Sequence, residues 1–225
     1  MIQVMDVRKV FNAGRPNEFV AMNKVSLSIP RHEVTVLKGP SGSGKTTLLG
    51  ILGCMARPTS GRIMLAEREI TSLPERFLTE IRRTTFGFVF QQFNLIKGIT
   101  VIENVILPAY PTGENPAILK KRAMELLSLF NLSGKADSKI EWLSGGEAQR
   151  TSIARALMND PEVIIADEPT ANLDSRLSKE FMEIVSGLKE QEKTIIIASH
   201  DPIVYDSPIV DRVVEMRDGK IISGI

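Results

Sequence analysis

The stretch of sequence that decides the fold is VTVLKGPSGSGKTTLLGIL, residues 34–52. Its β-branched start, residues 34–37, predicts a short buried strand, and apolar residues at helical spacing after Thr47 predict a helix. The loop between them matches the phosphate-binding pattern G-x-x-x-x-G-K-[ST] at every required position. Its members are Gly39, Pro40, Ser41, Gly42, Ser43, Gly44, Lys45, Thr46 and Thr47. Strand, glycine-rich loop and helix in this order predict a site that binds nucleotide phosphates.

The residue types of this loop suit that chemistry. Glycines allow successive backbone N–H groups to turn towards phosphate oxygens, and the following helix adds the positive end of its dipole. Lys45 is expected to reach the β- and γ-phosphates of a nucleotide, and the Thr46 hydroxyl is expected to ligate Mg²⁺. Taken alone, the motif also fits a glycine-rich turn that binds nothing.

Composition limits the class of protein. The chain has 225 residues, 28 of them basic and 27 acidic, for a net charge of +1. This balance provides no overall electrostatic drive towards nucleic acid. The apolar runs are far shorter than the ~20 residues that span a bilayer, and residues 1–6 do not resemble a signal peptide. The single cysteine, Cys54, fits a reducing compartment. We therefore expect a soluble intracellular domain and no nucleic-acid partner.

Hydrophobic patterning predicts an α/β fold. Buried β-branched runs at 163–166 and 195–197 alternate with helical segments, which is typical of a parallel sheet. Strict alternation over 25–29 predicts a half-buried strand of a smaller N-terminal antiparallel β layer. Residues 212–216 and 220–222 predict a closing hairpin that turns at Asp218-Gly219. A helix is predicted from apolar residues on one face, namely Ile118, Leu119, Ala123, Leu126, Leu127 and Phe130.

An acidic pair, Asp167-Glu168, follows the predicted strand 163–166. Ligands of open α/β sheets bind at the carboxyl ends of the strands, so either carboxylate could serve the phosphate site. Asp167 is expected to hold Mg²⁺. Glu168 is expected to point elsewhere and to orient or deprotonate an attacking water. Without the phosphate loop, the same pair would be read as a turn or a helix cap.

Residues 143–150, LSGGEAQR, resemble the signature motif of ABC-transporter ATPases. The commonest form of that motif has Gln at the position of Glu147. Further family landmarks occur in the expected order. Gln91 resembles the Q-loop glutamine, although Gln92 beside it is an alternative. Residues 171–174 resemble the D-loop, with Asn172 a departure from the usual small residue. His200 resembles the switch histidine, and Phe11 stands where relatives have an adenine-stacking aromatic residue.

The resemblance implies a P-loop NTPase fold with a mainly parallel sheet core, the antiparallel β layer and a helical subdomain. It implies one ABC ATPase domain over 1–225, with the core in 1–91 and 159–225 and the helical subdomain in 92–158. It also implies ATP and Mg²⁺ as ligands. Glu168, His200 and Gln91 would be catalytic, and Thr46, Gln91 and Asp167 would serve the metal.

The family further implies a homodimer that closes on ATP. Each nucleotide would lie between the phosphate loop of one chain and residues 144–147 of the other, which are Ser144, Gly145, Gly146 and Glu147. Asp174 would link the two chains. The N-terminus of the helix that follows Ser144 would offer a second anion-binding site.

The implied partner is a transmembrane permease subunit on a separate chain, which places this chain at the cytoplasmic face of the inner membrane. Residues 50–54, 88–95 and 100–105 are similar to the branch that serves lipoprotein release and macrolide export. The same branch includes a non-transport complex of cell division, which remains an alternative. A soluble ABC ATPase acting on DNA or ribosomes is a second alternative, but residues 46–143 contain no sustained heptads of the kind found in DNA-repair relatives.

Overall fold

The computed structural model describes residues 1–171 and 173–224, so Asn172 of the D-loop-like segment lies outside the described residues. The strands are β1 (Ile2–Phe11), β2 (Phe19–Ile29), β3 (Val34–Lys38), β4 (Ser60–Leu65), β5 (Arg68–Glu69), β6 (Phe86–Val89), β7 (Val163–Asp167), β8 (Thr194–Ser199), β9 (Arg212–Arg217) and β10 (Lys220–Ser223). The α-helices are α1 (Lys45–Leu52), α2 (Glu75–Thr85), α3 (Val101–Ile106), α4 (Pro116–Leu129), α5 (Gly145–Leu157), α6 (Ser175–Glu190) and α7 (Pro202–Tyr205). Short 3₁₀ turns cover Leu107–Thr112, Ser133–Lys135 and Ile140–Trp142.

The strands form two sheets. One has four strands in the order β2-β1-β4-β5, and all its pairings are antiparallel. The other has six strands in the order β10-β9-β3-β8-β7-β6. Its pairings are parallel except for the edge hairpin of β9 and β10, and β9 itself runs parallel to β3. The α/β class, the antiparallel layer and the mainly parallel core are thus confirmed.

The six-stranded sheet is buried on both faces, as expected for parallel strands. In β8, Ile195 and Ile197 belong to one hydrophobic cluster, which also contains residues of α3 to α6. Ile196 and Ala198 belong to the other cluster, which contains residues of α1 and of the antiparallel sheet. Because successive strand residues point to opposite faces, an almost wholly apolar strand serves two cores at once.

The apolar face of α4 differs from its prediction at one residue. Leu119, Ala123 and Leu127 are buried at a spacing of four, and Phe130 caps the helix on the same side. Ile118 is instead 54% exposed. One residue advances a helix by about 100°, so the residue beside Leu119 lies off a narrow buried stripe.

Within the described residues, no helix combines the length and the apolar character that a membrane span requires.

Candidate nucleotide site

The ends of neighbouring parallel strands bring the site residues together. The register pairs Lys38 at the end of β3 with Ser199 at the end of β8, and Ala198 with Asp167 at the end of β7. The phosphate loop, His200 and the acidic pair each follow one of these ends. The sheet therefore gathers at one edge three segments that are far apart in the sequence.

The phosphate loop needs glycine where it turns into α1. Gly44, which caps the helix, has φ = +101°, and a Cβ there would lie 2.8 Å from the carbonyl oxygen of Ala21. A side chain would be both strained and in collision with β2. Among the described residues, the Ser43 hydroxyl is buried without a hydrogen-bond partner, which suits a polar ligand at this loop.

Lys45 is held tightly inside the loop. Its side chain is 5% exposed, and Nζ donates to the carbonyl oxygens of Gly39 at 2.6 Å and Pro40 at 3.0 Å. Nζ also lies 3.4 Å from Oε1 of Glu168, whose side chain is 13% exposed. A buried ammonium group needs such partners, and the carboxylate supplies the opposite charge.

The two carboxylates both face the phosphate loop. The Thr46 hydroxyl donates to Oδ1 of Asp167 at 3.1 Å, while Glu168 pairs with the adjacent Lys45. Neighbouring residues of a regular strand point to opposite faces, but Glu168 has φ = +46° and interrupts that alternation. The expectation that Glu168 points elsewhere is therefore corrected. Left-handed backbone at a non-glycine residue stores strain, and such strain clusters at functional sites.

Burial raises the pKa of Asp167 above its ordinary value of 3.8, and the charge of Glu168 beside it acts in the same direction. The hydrogen bond from Thr46 and the charge of Lys45 oppose this shift without cancelling it. A carboxylate that is costly to ionise gains from a cation, so this position favours a bound positive charge.

His200 completes a chain of three side chains. Its Nδ1 lies 2.9 Å from Oε2 of Glu168, whose other oxygen pairs with Lys45. Because a carboxylate only accepts, a hydrogen bond in this contact requires Nδ1 to carry the proton. Glu168 is thus positioned between an imidazole from the end of β8 and the lysine of the phosphate loop.

A cavity of about 250 Å³ lies at this centre. Its lining comprises Phe19, Ala21, Ser41, Gly42, Ser43, Gly44, Lys45, Thr46, Thr47, Gln91, Glu168 and His200. Gln91 therefore lies where the sequence placed it, at the same site as Glu168. Phe11 does not line this cavity. It pairs with Phe19 across β1 and β2, so the two rings lie at the same end of the antiparallel sheet.

The signature residues lie apart from this cavity. Ser144 caps α5, where it accepts a hydrogen bond from the Glu147 backbone at 3.3 Å, and Glu147 accepts one from the Ser144 backbone at 2.8 Å. Asp174 caps α6 in the same way by accepting from Leu177 N at 2.9 Å. A Cβ at Gly146 would lie 2.8 Å from Leu177, so the two helices begin side by side. None of these residues lines the cavity within one chain.

Sequence reasoning missed Phe19 and Gln149. Phe19 lines the cavity, but an aromatic residue at the start of a strand carries no signal of its own. Gln149 is buried and donates through Nε2 to the carbonyl oxygen of Pro169 at 2.7 Å, directly after Glu168. A polar residue on the buried face of a predicted helix is the signal that could have identified it.

The protein ligands for a metal ion are few. Among the described residues, no group of three or more His, Cys, Asp or Glu side chains could hold one. The Thr46 hydroxyl and the Asp167 carboxylate are nevertheless in contact beside the phosphate loop. Mg²⁺ is commonly bound by one or two protein oxygens together with substrate phosphates, and these two residues fit that arrangement.

Comparison with known proteins decides the family. The family described as ABC transporter matches residues 22–171. The chain belongs to this family. An uncharacterized ABC transporter ATP-binding protein of Thermotoga maritima is 40% identical to the cassette over 221 residues, which are 98% of this chain and 93% of that protein. The macrolide export ATP-binding/permease protein MacB of Salmonella typhi is 40% identical over 222 residues, 99% of this chain. The cassette spans 34% of the length of MacB.

Solved structures agree with the family. A dimeric structure of MJ0796, a bacterial ABC transporter cassette, is 38% identical with a TM-score of 0.91, and covers 100% of this chain and 98% of that one. A post-hydrolysis state of MJ0796 bound to ADP and Pi has a TM-score of 0.90 at 37% identity, over 100% and 98% of the two chains. The chain is an ATP-binding cassette with the P-loop NTPase fold, and its domain is that of the ABC ATPases.

Proposed function

We propose that this cassette hydrolyses ATP and uses the cycle to power a separate transmembrane permease. The observation that carries the proposal is the contact between the phosphate loop and the acidic pair. Lys45 and Thr46 of the phosphate loop contact Glu168 and Asp167 at the end of β7. Binding groups for the phosphates and acidic groups for the chemistry therefore share one edge of the sheet.

Residues 39–47 bind the phosphates through backbone N–H groups and the N-terminus of α1. Lys45 already lies among oxygen atoms, those of Gly39, Pro40 and Glu168. Phosphate oxygens compete with Glu168 for the ammonium group. Binding of ATP thus weakens the Lys45–Glu168 pair and makes the carboxylate available to water.

Glu168 acts as the general base. It takes a proton from the water whose oxygen attacks the γ-phosphorus, and the bond to the β–γ bridging oxygen breaks to give ADP and phosphate. His200 holds Glu168 through the 2.9 Å contact and positions the γ-phosphate, and Gln91 orients the water. Thr46, Asp167 and Gln91 would hold Mg²⁺, which would supply positive charge against the phosphates.

The second half of the site comes from a second copy of the chain. The N-terminus of α5, with Ser144, Gly145, Gly146 and Glu147, binds the γ-phosphate of the ATP held by its partner. Asp174 lies beside it at the start of α6 and links the two copies. Because the γ-phosphate favours the closed dimer over the open one, hydrolysis reopens it.

The proposed partner, location and subdomain bounds are those that the family resemblance implies. We propose a homodimer bound to a permease at the cytoplasmic face of the inner membrane, with no nucleic-acid partner. MacB carries ATP-binding and permease functions in one protein by its name, and for this cassette we propose a permease on a separate chain. We propose the export branch for this cassette. Residues 1–91 and 159–225 form the core and 92–158 the helical subdomain that contacts the permease.

The test is the substitution Glu168→Gln, which keeps the shape of the side chain but removes the base. ATP hydrolysis is expected to fall at least about a hundredfold, because general base catalysis contributes that much or more. ATP binding persists, so the ATP-bound dimer accumulates. Light scattering at tens of micromolar protein, with ATP and Mg²⁺, measures the dimer directly.

Glu190→Gln, at the exposed end of α6, is the matched control and should hydrolyse ATP as the parent chain does. EDTA should abolish hydrolysis in both chains. A Glu168→Gln chain that binds ATP yet stays monomeric contradicts the shared site, and one that hydrolyses ATP at the parent rate contradicts the role of Glu168.

A further inference from the structure

Trp142 is an unusual surface residue. Its side chain is 72% exposed, the highest fraction among the exposed large hydrophobic side chains of the described residues. It is also the single tryptophan of the sequence. Tryptophan is large and mostly apolar, and an indole left in water forgoes a substantial gain from burial. Such exposure points to a contact made with another molecule.

The turn that carries Trp142 is anchored. Ile140 and Leu143, on either side of it, pack against the hydrophobic cluster of the helices. The backbone N–H of Trp142 donates to Lys139 at 3.1 Å, and Glu141 accepts from the Gly98 N–H at 2.8 Å. The indole therefore projects from a fixed base and needs little ordering when it meets a ligand.

Its position relates the indole to the signature helix. Trp142 precedes Ser144, the cap of α5, by two residues, which span at most about 7 Å of chain. In the proposed dimer, the N-terminus of α5 meets the γ-phosphate of the ATP held by the second copy. In that dimer the indole of one copy lies beside the same nucleotide. It faces the phosphate loop of the second copy.

The opposite wall of the nucleotide site is aromatic too. Phe19 lines the cavity, and Phe11 pairs with it across β1 and β2. Both rings are exposed, at the end of the antiparallel sheet that adjoins the phosphate loop. With phosphates held by residues 39–47, the purine base of ATP extends towards these rings. A flat base against one aromatic wall leaves its other face open to a second ring.

We infer that the Trp142 indole of one copy stacks on the purine base of ATP bound by the other copy. The inference rests on the proposed dimer. Trp142 is thereby assigned a contact with the base across the dimer interface. Closure of the dimer then depends on the base as well as on the phosphates. The base is then held between Phe11 and Phe19 of one chain and Trp142 of its partner.

The single tryptophan makes this directly measurable. In the Glu168→Gln chain with ATP and Mg²⁺, formation of the dimer should shift the indole emission to shorter wavelength. Acrylamide quenching should fall several-fold at the same time. Light scattering on the same sample reports whether the dimer has formed. A dimer with unchanged quenching overturns the inference and leaves the proposed function standing, whereas absence of a dimer contradicts both.

Comparing ATP with UTP distinguishes a contact of the indole with the base from a contact of the indole with protein. Trp142→Ala in the Glu168→Gln chain should weaken dimerisation about tenfold with ATP, as expected for the loss of an aromatic contact at each of two sites. With UTP, whose single-ring base stacks less, the loss should be about threefold or smaller. An equal loss with both nucleotides places the indole against protein and overturns the base contact.

Two further variants guard against a trivial loss. Trp142→Phe keeps a ring and should restore most of the affinity for the ATP dimer. Tyr110→Ala removes another aromatic side chain, 57% exposed, that has no place in the proposed site and should leave dimerisation unchanged. Circular dichroism of each variant checks that the fold persists.

Discussion

At the scale of single residues, the site depends on charges that are buried in pairs. Lys45 and Glu168 are both largely buried and neutralise each other, and His200 contacts the free side of the same carboxylate. Among the described residues, the Thr46 hydroxyl is the hydrogen-bond partner found for Asp167, and the pKa of this carboxyl is raised. A carboxylate whose ionisation is made costly by burial gains from a nearby cation, which fits the proposed Mg²⁺ ligand.

Asp167→Asn should stabilise the chain in the absence of nucleotide and abolish most ATP hydrolysis. Burial raises the pKa of Asp167 above 3.8, so ionisation of this carboxyl costs folding free energy. The cost is absent below that pH and grows as the pH rises through the folded-state pKa. Thermal unfolding should show the variant roughly 2 °C more stable than the parent at pH 7.5, with a smaller difference at pH 4.

Asp137→Asn, an exposed position, is the control and should shift neither quantity. A loss of stability in Asp167→Asn at neutral pH would show that the ionised carboxylate is favourable in the folded chain.

At the scale of elements, α5 begins at the signature residues and farther along contacts two loops of the nucleotide site. Ser144 and Glu147 cap its N-terminus reciprocally, which satisfies two backbone N–H groups. In its middle, Gln149 donates to Pro169 beside the acidic pair. Near its end, Arg155 donates to the carbonyl oxygens of Phe93 and Asn94, just after Gln91. Helix α5 therefore makes hydrogen bonds both to the segment that follows the acidic pair and to the segment that follows Gln91.

Glu147→Gln should tighten the ATP-driven dimer several-fold. The hydrogen bond from the Ser144 backbone lowers the pKa of Glu147, so this side chain is ionised at neutral pH. Glutamine can keep the reciprocal cap while removing a negative charge from the helix end that is proposed to meet phosphate. Light scattering in the Glu168→Gln background measures the change, which should shrink as salt rises.

Lys135→Gln is the opposing control. Lys135 Nζ lies 3.5 Å from Glu147 Oε1, so its removal leaves the negative charge less neutralised and should weaken the dimer. A weaker dimer in Glu147→Gln would mean that the carboxylate itself makes a favourable contact across the interface.

At the scale of the whole molecule, one six-stranded sheet supports two kinds of surface. Its first cluster packs α3 to α6 and its second packs α1 and the antiparallel sheet. The nucleotide cavity lies at the carboxyl edge of the strands, and among the described residues its lining includes none from α3 to α6. The signature helix belongs to the first side and the phosphate loop to the second. In the proposed homodimer, a head-to-tail arrangement of two copies would bring them onto one nucleotide.

A tagged Glu168→Gln chain should co-purify with a polytopic membrane protein from native membranes in ATP. The expectation rests on the proposed permease partner, which should stay bound while hydrolysis is blocked. Mass spectrometry of the captured proteins identifies it, and a sample prepared in EDTA without ATP is the control. Recovery of ribosomes or DNA-bound proteins in place of a membrane protein would contradict the permease while leaving the ATPase standing.

Local chemistry explains which features were predictable. The loop 39–47 was predictable because its strand, turn and helix are neighbours in the chain. Gly44 has a left-handed backbone conformation that favours glycine. The hairpin of β9 and β10 follows from its turn, and the two-sided burial of β7 and β8 follows from apolar runs. The assignments of Phe11, Ser144 and Asp174 to nucleotide or dimer contacts remain predictions.

The sequence by itself therefore determined the fold class and the phosphate loop, and it predicted which residues are reactive. Only the tertiary structure decided that Glu168 turns back to join Lys45 and His200, that Phe19 lines the cavity, and that Ile118 faces solvent. It also decided that one chain keeps its signature residues away from its own cavity. The reason is sequence distance. A motif reflects the backbone conformation of a few consecutive residues, whereas strand order and side-chain direction depend on packing between distant segments.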